Sequence, residues 1–172
     1  MLVRLLYASR AVDPSPEAIE TILSQSRQYN PTCGITGILC YGGGIFLQAI
    51  EGGRMPVSDL YGHIQKDTRH KDIVLLHYEE ISERRFGGWT MGQVNMSKIN
   101  TNILLKYAEK PELDPYSVSG KVSLALLEEL QATQAELRRS IQVRDDFMSM
   151  VSHELRTPLN TLSLQTQLRR RM

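Results

Sequence analysis

The first 95 residues alternate between the two-residue periodicity of strands and the 3.6-residue periodicity of helices, and the order of these segments restricts the fold more than any other feature. The order is β-α-β-β-α-β-β. The predicted strands are 2–9, 34–41, 44–51, 72–81 and 87–95, and the predicted helices are 15–28 and 56–66. Two interleaved β-α-β halves in this order predict an α+β, ferredoxin-like sheet with one added strand and two helices on one face.

A glutamine, Gln48, lies in the middle of the third predicted strand, whose sequence is "GIFLQAIE". Side chains alternate along a strand, so Gln48 shares a face with Phe46 and Ile50. An amide buried there without a partner would cost about 1–3 kcal/mol. In a split β-α-β sheet, strands one and three are neighbours, which places Tyr7 within reach of Gln48. Periodicity leaves two interpretations open: a core with one Tyr–Gln hydrogen bond, or a pocket that recognises a ligand.

The character of the sequence changes after Asn95. A short helix is predicted over 97–108, and 109–120 is a polar, proline-containing linker. From Lys121 onward, apolar residues recur at alternating steps of three and four, which is typical of a coiled coil. The positions of this seam are Leu127, Leu130, Gln134, Leu137, Ile141, Arg144, Met148, Val151 and Leu155. Self-association as a homodimer through 121–172 is predicted, and the alternative is an amphipathic helix packed on its own domain.

Composition restricts the class of partner. The net charge is +1 over 172 residues, which gives no general attraction to nucleic acid or to an acidic membrane surface. No signal peptide or membrane-spanning stretch is visible, so we expect a cytoplasmic protein without nucleic-acid or membrane contacts. Its two cysteines, Cys33 and Cys40, are expected to be reduced.

Five motifs, in order, resemble the BLUF family of flavin-binding blue-light sensors: "RLLYAS", "YNPTCGITGILCY", "FLQAIEG", "DLYGHIQKDTRH" and "FGGWTMG". The resemblance implies a photosensor domain over 1–96, with FAD between the two helices and with FMN or riboflavin as alternative flavins. It implies that Gln48 is the light-switching residue and that Tyr7 is its partner and electron donor. His63 stands where many relatives have arginine.

The same resemblance implies further contacts to the flavin. Asn30 would hold the pyrimidine edge of the ring, and three residues would lie near the flavin side chain: Asp67, Arg69 and His70. Trp89 and Met91, on the last strand, would report the switch. The change would then pass through the 97–108 helix to the coiled coil.

A second motif, "FMSMVSHELRTPLNTL" at 147–162, resembles the phosphoacceptor helix of sensor histidine kinases. The resemblance implies that His153 accepts a phosphoryl group, that Glu154 assists its proton transfer, and that Thr157 positions a water for dephosphorylation. A response regulator would be the downstream partner. The alternative is a solvent-facing histidine on a coiled coil.

Together the two motifs predict a blue-light sensor that regulates a two-component histidine kinase. The sequence has no glycine-rich nucleotide motif, so the chain alone is expected to be an incompetent fragment of the kinase, lacking its ATP-binding domain. The alternative is a light-responsive protein that acts by partner binding or oligomer change. In that case the histidine motif at 147–162, called the H-box in sensor kinases, would be inert. A small acylphosphatase-like or flavin-dependent enzyme is disfavoured, because no phosphate loop is visible and a Tyr–Gln clamp does not suggest an open flavin ring.

Overall fold

The protein is described by a computed structural model that covers residues 1–88, 91–110, 112 and 114–169, with side chains described as far as Leu155. The chain divides into two compact units, Met1–Gln131 and Ala132–Met172. The first unit contains the whole sheet, and the described part of the second is helical.

The first unit is built on five strands and three helices, together with the beginning of a fourth helix. The strands are β1 (Leu2–Ala11), β2 (Thr36–Gly42), β3 (Ile45–Gly53), β4 (His70–Ile81) and β5 (Gly92–Asn95). The helices are α1 (Pro16–Tyr29), α2 (Arg54–Lys66), α3 (Thr101–Tyr107) and α4 (Gly120–Arg169). Single 3-10 turns lie at Asn30–Cys33 and Met96–Lys98.

The sheet has the order β4-β1-β3-β2-β5, with β1 and β3 in or beside its centre. Only the β2–β5 pair is parallel among the described ladders. This arrangement confirms the predicted ferredoxin-like α+β fold. The close approach of β2 to β3 requires a glycine, because a Cβ on Gly37 would lie 2.3 Å from the carbonyl oxygen of Ala49.

Local sequence signals set the ends of α1. The side chain of Ser15 caps the helix by accepting a hydrogen bond from the backbone N–H of Ala18 at 3.3 Å, and Pro16 follows at the first helical position. After Tyr29 the chain tightens into the 3-10 turn, which ends at Gly34 with a φ of +64°. Asn30, the first residue of this turn, is buried.

Helices cover both faces of the sheet. On one face, Val3, Leu5 and Tyr7 of β1 pack with Leu23 of α1 and Val57 of α2. The predicted pair of helices on one face is therefore confirmed.

The opposite face is covered by α3 and by the start of α4. Leu6 and Leu47 of the sheet pack there with Leu126, Leu127 and Leu130 of α4. The sequence assigns Leu127 and Leu130 to a coiled-coil seam, but in this structure both belong to the core of the first unit. The reason is that this sheet face is apolar in the middle strands and needs a cover.

Three predicted segments differ in the structure from their predicted extent or character. The last strand is shorter than 87–95, since among the described residues only Gly92–Asn95 pair with β2. The predicted helix 97–108 is a 3-10 turn followed by α3. The predicted linker 109–120 makes a specific contact with the sheet unit, because the hydroxyl of Tyr116 donates to the backbone oxygen of Asp72 at 2.9 Å.

The second unit carries the rest of the heptad pattern. Leu137, Ile141, Met148 and Leu155 are all exposed there, with Leu137 60% accessible. None of the helices that the structure describes combines the length and apolar character that crossing a bilayer requires.

Candidate functional site

The amide of Gln48 has two hydrogen-bond partners. Tyr7 on β1 lies directly opposite Gln48 on β3. The phenol of Tyr7 donates to Oε1 of Gln48, and Nε2 of Gln48 donates to Sδ of Met91 at 3.3 Å. All three side chains are buried. The polar group in the middle of the strand is therefore satisfied at both ends.

A cavity of about 330 Å³ opens beside this pair, between α1 and α2. Tyr7 and Gln48 form part of its floor. Most of its lining surface is apolar, and its aliphatic side chains are those of Ile22, Leu39, Leu60 and Ile64. The size and the apolar walls with a few convergent polar groups are typical of a small-molecule site.

A second buried amide, that of Asn30, lines the same cavity. The 3-10 turn at the end of α1 positions it: the backbone oxygen of Asn30 accepts from the N–H of Ile35 at 2.9 Å. Asn30 and Gln48 thus present donor and acceptor groups to one cavity, which suits a flat heterocycle with a polar edge.

Charged and polar groups form the rim. Arg69 binds both carboxylate oxygens of Asp67, with Nη2–Oδ2 at 2.6 Å and Nε–Oδ1 at 2.9 Å. The Nη1 of Arg69 donates to Oε1 of Gln25 at 2.8 Å, which connects this rim to α1. The hydrogen bonds from Arg69 hold the pKa of Asp67 below its usual value, so the carboxylate stays ionised.

His70 lies at the inner side of this rim. Its Nδ1 is 3.0 Å from the hydroxyl of Ser9, and its ring packs against Phe46 with centroids 5.2 Å apart. Burial lowers the pKa of His70. The Asp67 carboxylate partly opposes this effect, and the Arg69 guanidinium, the smallest of the three influences, acts with burial. At neutral pH His70 is therefore an uncharged hydrogen-bonding group.

Burial raises the pKa of Tyr7 far above its usual value, and Tyr61 and Asp67 add to the effect. The phenol therefore stays protonated throughout the range in which proteins are stable.

Residues 85 and 86, which precede β5, are held by hydrogen bonds to β3. The carboxylate of Glu51, fully buried on β3, accepts from the backbone N–H of Phe86 at 2.9 Å and of Arg85 at 3.2 Å. Arg4 of β1 neutralises it through Nε–Oε1 at 2.7 Å and also binds Glu79 at 2.6 Å. These bonds fix the backbone of residues 85 and 86 against β3.

Most of the predicted site residues come together. Six of them line the cavity: Tyr7, Asn30, Gln48, Asp67, Arg69 and His70. Met91 joins them through Gln48. Trp89 lies outside the described residues, as does the side chain of Thr157. His153 and Glu154 are exposed in the second unit.

Two features were missed from sequence. Tyr61 of α2 places its ring 5.7 Å from that of Tyr7, and the signal for it was the helical spacing with Val57 and Ile64. The buried Arg4–Glu51 pair was the other. Its signal was the presence of opposite charges on two strands predicted to be neighbours, with Arg4 inside the first and Glu51 at the end of the third.

Comparison with known proteins agrees with this geometry. Residues 2–92 match the family model "BLUF: Sensors of blue-light using FAD", and residues 143–171 match "HisKA: His Kinase A (phospho-acceptor) domain". The chain is 35% identical over 92 residues to the photoactivated adenylate cyclase subunit beta of Euglena longa, covering 52% of this chain and 11% of that protein. It is 38% identical over 88 residues to the blue light- and temperature-regulated antirepressor BluF of Escherichia coli K12, covering 51% of this chain and 22% of that protein.

Among solved structures, the chain resembles BlsA in its photo-activated state, with a TM-score of 0.68 and 34% identity over 76% of this chain and 94% of that one. The sheet, the cavity between two helices and the Tyr–Gln pair define a flavin-type photosensor. The family match covers more than half of the chain, so the protein belongs to the BLUF family of blue-light sensors that use FAD. The residues present fit this cofactor, because two buried amides and aliphatic walls meet in one cavity.

Proposed function

We propose that the first unit senses blue light through the Tyr7–Gln48–Met91 hydrogen-bond chain, and that it regulates phosphoryl transfer at His153. In this proposal, Gln48 and Asn30 hold the polar edge of the FAD ring, and Ile22 and Ile64 flank it. Asp67, Arg69 and His70 contact the remainder of the cofactor. FMN or riboflavin would retain the contacts to the ring.

A bound FAD supplies absorption of blue light and, once excited, an acceptor for one electron. Tyr7 is the proposed electron donor, and its proton moves to Oε1 of Gln48 along their hydrogen bond. When electron and proton return to Tyr7, the amide of Gln48 remains rotated or tautomerised. A half-turn exchanges Oε1 with Nε2, so Sδ of Met91 loses the donor that it has in this structure.

The observation that carries this proposal is the continuous chain from a buried phenol, through one amide, to a sulfur next to β5. Because one amide bonds both neighbours, its rotation changes the tyrosine side and the methionine side together. The switch therefore needs no new covalent bond, and it reaches the segment before β5 at once.

The test replaces Gln48 by leucine, which is similar in size and cannot hydrogen-bond. The Gln48→Leu chain, loaded with FAD, should show no red shift of its flavin bands after blue illumination. Gln28→Leu, an exposed position of α1, is the matched control and should keep the shift. A normal red shift in Gln48→Leu would refute the proposed switch.

The output proposal rests on the HisKA match and on the exposure of His153 in the second unit. An imidazole nitrogen of His153 attacks the γ-phosphorus of ATP held by a kinase domain, and ADP leaves. Glu154 accepts the proton from the other ring nitrogen, and Thr157 is proposed to position a water for dephosphorylation. A response regulator then takes the phosphoryl group. The proposed assembly is a homodimer through α4.

Phosphoryl transfer is tested with radiolabelled ATP, the chain and the ATP-binding part of a sensor kinase, in darkness and under blue light. Acid-labile label should appear on the chain, differ in amount between darkness and light, and disappear in His153→Gln. His77→Gln, on β4, is the control and should keep the label. Absence of label under every condition, with a normal flavin red shift, would show that the H-box is inert and that output occurs by partner binding or oligomer change.

A further inference from the structure

We propose that residues 120–131 of α4 serve two mutually exclusive interfaces, the sheet of their own sensor unit and the same helix of a second copy of this chain. Light would shift the balance from the first to the second. The light dependence rests on the proposed function, whereas the competition between the interfaces does not.

The first interface is the sheet face opposite the cavity. Leu126 and Leu127 are fully buried there and Leu130 nearly so, in one cluster with Leu6 of β1 and Phe86. Removing three leucine side chains from water stabilises this interface, so the docked helix is the ground state of the isolated unit.

The start of the helix fits the sheet closely. A Cβ on Gly120 would lie 2.1 Å from the backbone oxygen of Leu76 and 3.0 Å from Cβ of His77. Only glycine allows α4 to begin at this distance from β4. The docking position is therefore specified by the sequence and is not an incidental collapse of the helix.

Arg85 binds the C-terminal end of residues 120–131 and thereby holds it against the first unit. Its guanidinium pairs with Glu128, and its backbone oxygen accepts from Nε2 of Gln131 at 2.9 Å. Its backbone N–H donates to Glu51, which lies three residues after Gln48 on β3. A change at Gln48 thus has a short route to Arg85, along β3 to Glu51 and across its hydrogen bond to the Arg85 backbone.

The second interface follows from the heptad pattern. Leu127 and Leu130 are in register with Leu137, Ile141 and the later seam positions. In a two-stranded coiled coil, these positions face the partner helix. Four apolar seam positions of the second unit are exposed in the single chain, namely Leu137, Ile141, Met148 and Leu155. A leucine buried against the sheet cannot simultaneously fill a hole in a partner helix, so the two interfaces compete for the same side chains.

The docked state also contains an unfavourable element. Ser123 is fully buried on α4, and among the described residues its Oγ is the one buried side-chain polar atom without a hydrogen-bond partner. Such a group weakens the interface that buries it, because the hydroxyl gives up its bonds to water. The docking energy is thereby reduced, as a switch with two accessible states requires.

Disulfide trapping between two copies tests the competition directly. Leu130→Cys is introduced in a Cys33→Ser background of the full chain, and Cys40 is retained because it is fully buried. Mild oxidant is added in darkness and under blue light, and the flavin spectrum is recorded in the same sample. Leu137→Cys, a seam position of the second unit, is the control and should crosslink equally in both conditions.

The proposal predicts a crosslink at position 130 that is at least about threefold more abundant under light, with an unchanged yield at 137. A red shift with equal yields at 130 in darkness and light would overturn the proposal and leave the photoreceptor intact. Because Leu130→Cys removes core volume, hydrogen exchange of the 120–131 amides in the unsubstituted chain is the second readout, and it should accelerate under light.

Two variants test the competition without light. Arg85→Ala should raise the dark crosslink about two- to fivefold, because it removes a half-exposed ion pair from the docked state. Ser123→Ala should lower the yield about fivefold or more, because the docked state no longer buries an unpaired hydroxyl. Arg139→Ala, which removes the same charge from an exposed position outside the seam, should change nothing. These crosslink yields in darkness test the proposal even if the chain shows no red shift. Unchanged yields in both Arg85→Ala and Ser123→Ala would refute the competition between the two interfaces.

Discussion

Tyr7 and Gln48 are directly opposed residues of the two adjacent strands β1 and β3, and the phenol of Tyr7 donates a hydrogen bond to Oε1 of Gln48. The register of a single strand pair sets this contact. A slip of one residue would move the two side chains to opposite faces of the sheet. The pair also lies on the face covered by α1 and α2, so the switch is enclosed by the same packing that forms the cavity.

Replacement of Tyr7 by phenylalanine should abolish the light-induced red shift while leaving FAD bound. The ring of Tyr7→Phe still fills its place in the core, but the donor of the proton and the hydrogen bond to Gln48 are lost. Tyr61→Phe removes the neighbouring phenol, 5.7 Å away, and should retain the shift. The check is the light-minus-dark absorption spectrum of both variants. If Tyr61→Phe lost the red shift and Tyr7→Phe kept it, the electron donor would be Tyr61 and not Tyr7.

Glu51→Gln should be the most destabilising of the conservative charge changes in the sensor unit. It leaves Arg4, which is 3% exposed, with Glu79 as its remaining ion partner. Removal of one partner of a buried pair costs about 3–5 kcal/mol, and we expect the lower end because Glu79 remains. Urea unfolding at neutral pH measures the change.

The control for this variant is Glu80→Gln. It breaks the exposed pair with Arg54, in which both side chains are about half accessible, and should cost about 1 kcal/mol or less. Equal losses in the two variants would contradict the distinction drawn between the buried and the exposed pair.

Alanine at two helical glycines should change stability in opposite directions. Gly62→Ala, in the interior of α2, meets no atom within 4 Å and should stabilise the protein by about 0.5–1 kcal/mol. Gly120→Ala would place its Cβ 2.1 Å from a backbone oxygen of β4 and should destabilise the protein by about 1–3 kcal/mol. Thermal unfolding of both variants measures these changes in stability. Stabilisation by Gly120→Ala would show that α4 does not begin against β4.

Stability should fall as the pH is lowered from about 7 to about 5, in part because of His70. Burial depresses the folded-state pKa of His70. The contribution is therefore fully present above the unfolded pKa of about 6.5, and it is lost as the pH falls from there towards the folded pKa. The Asp67 carboxylate, whose pKa is lowered by Arg69, weakens the fold only at still lower pH. The Tm of His70→Gln should depend less steeply on pH in this window than that of the parent chain, and equal slopes would contradict the assignment.

The sheet could be predicted from sequence because its strands and helices differ sharply in periodicity, and because glycines and prolines mark their ends. The strand order placed Tyr7 and Gln48 on neighbouring strands, whereas their direct opposition depends on the register of β1 and β3, which the structure shows. The functional roles of Asn30, Asp67 and Arg69 came from motif resemblance, since their contacts depend on tertiary packing between α1 and the start of β4 that no local pattern encodes.

The start of α4 shows where a pattern of this kind fails. Leu127 and Leu130 fit a heptad seam and also fit the uncovered face of the sheet, and periodicity is identical in the two cases. The difference lies in Gly120 and in the contacts of Arg85, which are long-range features. The buried pair of Arg4 and Glu51 was missed for a similar reason, because charged residues in a strand are ordinarily assigned to its solvent face.

The most direct test of the central claim is the absorption spectrum of the full chain with bound FAD, recorded before and after blue illumination and during recovery in darkness. The account predicts flavin bands that move slightly to the red and return in darkness, because only the hydrogen bonds of Gln48 change. A flavin that binds but is unaltered by light, or that bleaches permanently, would contradict it.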